Sequence, residues 1–144
     1  IKFFVLLIFI QITLGAFTSG LDAGQIYQTW PSMNNNFFPD DLNLKNIFSL
    51  SIFSEPSGVQ FLHRNMAYVL LLYVFVISTY VFFYKKKYLY KILLFLLVMI
   101  FIQILLGIFT LISGLNIILA SLHQISTVIL LISSMIFSYN SKKE

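Results

Sequence analysis

Residues 10–18 read IQITLGAFT, and residues 102–110 read IQILLGIFT. Each copy sits in an apolar run long enough to cross a bilayer as a helix, which takes about 18 residues or more. The next apolar run after the first copy opens FLHRNMAYVLLL and carries His63. The run after the second opens SLHQISTVILLI and carries His123. The chain has no other histidine. An imidazole inside lipid is costly, so an intramembrane histidine points to function. Two of them at matching places in a duplicated unit point to a pair of ligands.

Composition sets the class. Of 144 residues, 59% are hydrophobic and 10% are charged, too little polar surface for a water-soluble domain. The runs predict four spans, at about 3–19, 60–84, 92–112 and 118–139. Residues 1–19 are not read as a signal peptide, because Gln11 and Gly15 recur in the third span and no A-x-A site follows. The absence of cysteine excludes a disulfide, a thiolate metal site and a c-type heme attachment.

The net charge of +4 follows from topology and does not point to a nucleic-acid partner. Lys85, Lys86, Lys87 and Lys91 lie between spans two and three, Lys142 and Lys143 follow span four, and Lys2 precedes span one. The positive-inside rule places all seven on the cytoplasmic side. Residues 20–59 and the 113–117 turn then lie outside. That outer loop carries Asp22, Asp40, Asp41 and Glu55 against Lys45 alone, and Arg64 stands at the outer mouth of span two. In a bacterium this is a multi-pass protein of the inner membrane.

The second signature follows the first by 92 residues, Gln103 against Gln11, while the histidines are 60 apart. The longer first loop absorbs the difference. Each unit is an outward helix, an outer loop and a returning helix headed by Leu-His, so the duplication is parallel, about an axis along the membrane normal. The expected fold is an all-α membrane protein: a four-transmembrane-helix antiparallel bundle made of two parallel-repeat helix pairs. It forms one domain over 1–144, with repeat units 1–84 and 91–141 and the outer loop 20–59. Because the chain begins with Ile and its first span starts at once, it is expected to be half of a larger protein. In the loop, Trp30-Pro31 suits the headgroup level, residues 34–46 read as irregular, and 46–54 read as a short interfacial helix or strand.

Gln11, Gly15 and Thr18 share one helix face, as do Gln103, Gly107 and Thr110. Glycine admits a neighbouring helix or a flat ligand, and a stripe of small residues serves plain packing equally well. The glutamine amides need polar partners in lipid. His63 and His123 head parallel spans and so lie at one depth. Diagonal helices of a bundle leave room for a porphyrin whose iron takes two axial imidazoles. Zinc fits less well, because it takes about four ligands. Gly15 and Gly107 would clear a flat macrocycle, Phe17, Phe61 and Phe109 would meet its edges, and Arg64 would face a propionate. A histidine at the outer interface can also simply reach for water, and an arginine at a helix mouth is comfortable among headgroups.

The segment Gly20-Leu21-Asp22-Ala23-Gly24 with Tyr27-Gln28-Thr29-Trp30-Pro31-Ser32-Met33 resembles the G-L-D-A-G…Y-N-T-[FW]-P-x-M segment of heme A synthase. Val59-Gln60-Phe61-Leu62-His63-Arg64 with Ala67-Tyr68 is similar to that family's V-Q-F-x-H-R-x-x-A-Y, and Leu119-Ala120-Ser121-Leu122-His123-Gln124 to its second L-A-x-x-H-Q. The likeness covers the whole chain but only the C-terminal four-helix half of an eight-helix family, in its cysteine-free branch. It implies an oxidoreductase that converts the C8 methyl of heme O to a formyl group, making heme A for cytochrome oxidase. His63 and His123 would be the axial iron ligands of a resident b-type heme (heme b), with Arg64, Gly15, Gly107, Gln11 and Gln103 around it. The heme O substrate would sit in the other half, so this chain alone would be inactive. Membrane lipid, heme O synthase, oxidase assembly factors and a second copy of the chain are the partners it implies. The stretch before Val59 reads FSEPSG and departs from the family pattern, so no role carries over to Glu55. Two other readings stay open: a generic b-type cytochrome subunit for electron transfer, and an assembly or transport subunit with incidental histidines.

Overall fold

The computed structural model describes residues 2–43 and 48–142. Lys45, Lys143 and the stretch 44–47, on which parts of the loop reading fall, lie outside them. Four long helices run along the chain: α1 (Lys2–Gly20), α2 (Pro56–Phe83), α3 (Tyr90–Ile112) and α4 (Ile117–Asn140). All four are long and apolar enough to cross a membrane. In lipid such segments become helices because only there does each backbone group find its partner within the segment.

Three of the predicted spans agree with the helices to within two residues at either end. The exception is α2, which starts at Pro56 rather than at 60. Proline suits the first helical turn, where its missing N–H needs no partner. Ser57 and Gly58 carry no apolar signal, so the hydrophobic pattern begins later than the helix does. The reversal into α4 uses Gly114 (φ 70°) and Leu115 (φ 63°) in left-handed backbone. Asn116 then caps α4, its side chain accepting from the N–H groups of Ile118 and Leu119, which relieves two of the unpaired donors at a helix start.

α1 packs mainly on α2 and α3 mainly on α4, so each repeat unit is a helix pair. The units join where α1 meets α4 and α2 meets α3. That ring order puts α2 diagonally across from α4. The hydrophobic core occupies one end. Phe4 and Ile8 of α1, Val74 and Val81 of α2, Leu93 and Leu96 of α3, and Leu130 and Phe137 of α4 belong to one buried cluster. They lie toward the end that carries Lys85–Lys87, Lys91 and Lys142.

The opposite half is packed more loosely. Phe61 to Tyr68 of α2 are half-buried without interruption, as are Ile104 to Ile108 of α3. A helix pressed tightly on one face alternates between buried and exposed positions. An unbroken half-buried run has partial cover on every side, as where Phe61 meets Phe37 and Phe38 of the loop. The long loop lies over this end, with 3₁₀ turns at Ala23–Gln25 and Leu50–Ser54. It reaches the second unit: a Cβ added at Gly24 would stand 2.7 Å from Leu115 Cδ2, so any side chain there would make Leu115 of the α3–α4 turn shift.

Candidate functional site

The two signature faces look inward at the loosely packed end, each toward the histidine of its own unit. A Cβ added at Gly15 would lie 3.1 Å from Cε1 of His63, and one added at Gly107 would lie 3.2 Å from Cε1 of His123. Both glycines therefore make room for an imidazole, a use that the sequence did not suggest beside helix packing or a flat ligand. Thr18 and Thr110, the third members of the face, donate to their own helices, at Leu14 O (2.8 Å) and Leu106 O (2.7 Å).

The glutamines meet the same two residues. Gln11 Nε2 donates to the backbone oxygen of His63 at 3.2 Å, and Gln103 Nε2 donates to that of His123 at 3.2 Å. An amide in lipid needs such a partner, and here it ties the outward helix to the histidine-bearing turn. Around Gln103 the network is fuller. Its Nε2 also donates to Ser126 Oγ at 2.6 Å, and its Oε1 accepts from Thr127 Oγ1 at 3.1 Å. Thr127 Oγ1 donates as well to the His123 carbonyl, at 2.7 Å.

Nδ1 of His63 and Nδ1 of His123 are both buried without a hydrogen-bond partner among the described residues. Such atoms are rare in a folded interior and call for an explanation. No group of three or more His, Cys, Asp or Glu that could hold a metal ion exists among the described residues.

Arg64 is expected to face a carboxylate of the ligand; among the described residues its guanidinium holds the loop, with Nη2 donating to Tyr27 O at 2.8 Å and Nη1 to Thr29 O at 2.9 Å and Ser32 O at 3.3 Å. Its Nε is buried and unpartnered among the described residues. The three expected aromatic neighbours are divided. Phe61 packs edge-on to Phe37 and Phe38, Phe17 meets Phe53, and Phe109 is exposed.

The sequence reading gave no role to the residues that latch the loop. Gln60 Nε2 donates to Tyr27 O at 2.9 Å, beside Arg64. The Tyr27 hydroxyl donates to Asp41 Oδ1 at 2.6 Å, and the Ser57 hydroxyl donates to Asp41 Oδ2. Burial first, and then the bond to Asp41 and its charge, raise the Tyr27 hydroxyl above its ordinary pKa. Burial acts on Asp41 in the upward direction, but the bonds from Ser57 and Tyr27 outweigh it and hold the carboxyl below its ordinary value. Tyr27 and Gln60 stand inside quoted motifs, a signal that could have drawn attention to them. Nothing in the sequence singles out Asp41 from Asp40.

Fold and site define a multi-pass membrane protein built from two helix pairs, each holding one inward histidine clasped by a glutamine and faced by a glycine. The family described as cytochrome oxidase assembly protein, COX15-CtaA, matches residues 1–135, and the chain belongs to it. The chain is 45% identical over 139 residues to the heme A synthase of Pelagibacter ubique (strain HTCC1062), covering 96% of this chain and 41% of that protein. It is 38% identical over 127 residues to the heme A synthase of Rickettsia africae (strain ESF-5), covering 88% and 37%. With the heme A synthase of Bartonella henselae it shares 40% over 124 residues, covering 83% and 34%. The chain thus spans about two fifths of the length of the curated relatives it matches. No solved structure matches it.

Proposed function

We propose that this chain is the cofactor-holding half of a heme A synthase, with His63 and His123 as the two axial ligands of a b-type heme. The observation that carries the reading is the duplicated cluster itself. Two imidazoles stand on diagonal helices of the bundle, each has a buried ring nitrogen that no group among the described residues satisfies, and each faces a glycine. The relatives are named heme A synthase, which supports the same reading; the resemblance adds the reaction, oxidation of the C8 methyl of heme O to a formyl group.

A heme bound through two imidazoles has no open coordination position and supplies one-electron transfer. The chain's own residues give it a place. Gln11 and Gln103 anchor the histidine-bearing turns. Gly15 and Gly107 leave each ring the space it needs. The loop, tied down by Arg64, Gln60 and the Tyr27–Asp41–Ser57 latch, covers the end of the bundle and keeps water out. Arg64 Nε remains available to a propionate oxygen. The heme O substrate would be handled in residues of the relatives that this chain does not match. Heme O synthase, oxidase assembly factors and a second copy of this chain are the partners this role implies. By the positive-inside rule the Lys-rich end faces the cytoplasm, and the histidine end faces out of a bacterial inner membrane.

Hemin is titrated into the purified full chain in detergent. The expected product is a six-coordinate low-spin spectrum, lost in His63→Ala and in His123→Ala. A chain that binds no heme, or that keeps this spectrum with both histidines removed, refutes the reading. Activity is tested in a chimera in which this chain replaces the matching segment of the Pelagibacter ubique relative, in cells that otherwise lack heme A. Recovered heme A supports the synthase. Heme binding without heme A points to a generic b-type cytochrome subunit.

A further inference from the structure

The two histidine clusters repeat in outline and differ in one respect. At His123 the Gln103 amide is used on both sides, by the His123 carbonyl, Ser126 and Thr127. No hydrogen bond joins it to the His123 ring among the described residues. Counting three and four places on from His63, the first unit has Met66 and Ala67 where the second has Ser126 and Thr127. Neither Met nor Ala has a side-chain donor to offer the amide oxygen. Gln11 Oε1 is accordingly buried with no partner among the described residues, and Gln11 Nε2 reaches the His63 ring, 3.4 Å from its Nε2.

Nδ1 of His63 lies nearer the Gly15 position than Nε2 does (3.6 against 4.0 Å), whereas at Gly107 the two nitrogens of His123 stand about equally near (3.7 and 3.8 Å).

We propose that Gln11 is a positioning residue that sets the tautomer and orientation of the His63 ring, and that Gln103 does not do this for His123. An amide nitrogen carries hydrogens only and can donate but not accept. Its approach to His63 Nε2 is attractive only when that nitrogen is bare, which places the ring proton on Nδ1. An unprotonated nitrogen is the form that a metal ligand requires. Gln11 thus holds Nε2 unprotonated, but its N–H occupies that lone pair and would have to swing away before Nε2 could bind iron; the other ring is left free to choose its tautomer. The difference is written in two side chains of the following turn. The metal-ligand part of this inference rests on the heme reading above; the tautomer part does not.

The test uses the heme-free, ¹⁵N-labelled full chain. With only two histidines in the sequence, the imidazole spectrum has two ring systems, assigned by the loss of one in His123→Ala. The His63 ring is expected in a single tautomer with Nδ1 protonated. Gln11→Leu is expected to release it into tautomer exchange and to leave the His123 signals in place. Gln103→Leu is expected to leave both ring tautomer patterns unchanged. Met66→Ser with Ala67→Thr, which gives the first unit the hydroxyls of the second, is expected to draw the intact Gln11 amide off the ring and reproduce the Gln11→Leu shift. This second variant decides the matter if Gln11→Leu does not fold. Identical tautomer exchange in wild type and Gln11→Leu, or equal responses of the two rings, overturns the proposal. A wild-type chain that shows the tautomer difference but takes up no heme refutes the heme reading and leaves the tautomer assignment standing.

Discussion

Replacing Gly15 and Gly107 with alanine separates the role of these positions in the site from their role in the helix. Carbon atoms in ordinary contact lie about 3.5–4.0 Å apart, and the new methyl groups would start 3.1 and 3.2 Å from the two Cε1 atoms. Each ring has to retreat by a few tenths of an ångström, and its turn is anchored through the carbonyl to Gln11 or Gln103. The movement falls on the side-chain torsions, where a displacement of about 30° from a rotamer costs roughly 0.5–1.5 kcal/mol. Helix propensity works the other way, alanine being better than glycine by about 1 kcal/mol in a helix interior. The expected result is unequal. Heat stability of the heme-free chain changes little, while heme affinity falls about fivefold for each variant, taking about 1 kcal/mol per ring. Thermal melts of the heme-free protein and Soret titrations of the same preparations measure both quantities. Alanine variants that bind heme as wild type does would show that the glycines serve helix packing alone.

Two further outcomes concern the loop. Arg64→Lys keeps the charge but cannot reproduce a planar fork onto the carbonyls of Tyr27, Thr29 and Ser32, so proteolysis within residues 27–43 should quicken several-fold without loss of the helical spectrum; an unchanged cleavage rate would contradict the latch. The pH range of the latch follows from its two titrating groups. Asp41 is held below its ordinary pKa, so its contribution is complete above about 3.9 and disappears as the pH falls through the lowered value. Tyr27 is raised, so its contribution is complete below about 10 and disappears as the pH climbs through the raised value. The protection of the loop amides relative to their intrinsic exchange rates should therefore be flat between those limits and fall beyond both, and Asp41→Asn should abolish the acid limb.

The four helices were legible because lipid imposes one solution on a long apolar run. Only the start of α2 was hidden, since Pro56, Ser57 and Gly58 carry helix geometry without hydrophobicity. The site was legible as a set of residues. A repeat puts Gln, Gly and His at matching places, and polar groups in lipid have few reasons to be there. Their mutual contacts were less so. Gly15 and Gly107 read as open surface for a helix or a flat ligand, and it took the packing of α1 on α2 and of α3 on α4 to show an imidazole against each.

Sequence alone determined the class, the duplication, the four spans and the pair of histidines, because hydrophobicity and repetition are properties of the chain itself. Tertiary structure decided what those residues do to one another. It placed α2 across the bundle from α4, committed Arg64 to the carbonyls of the loop, and joined Asp41 to Tyr27 and Ser57. It also made the two copies unequal, since Gln11 and Gln103 are the same residue in the same motif. What separates them is that Ser126 and Thr127 reach the Gln103 amide, a contact that only the packing of α3 on α4 reveals, while Met66 and Ala67 stand at the matching places of the first unit.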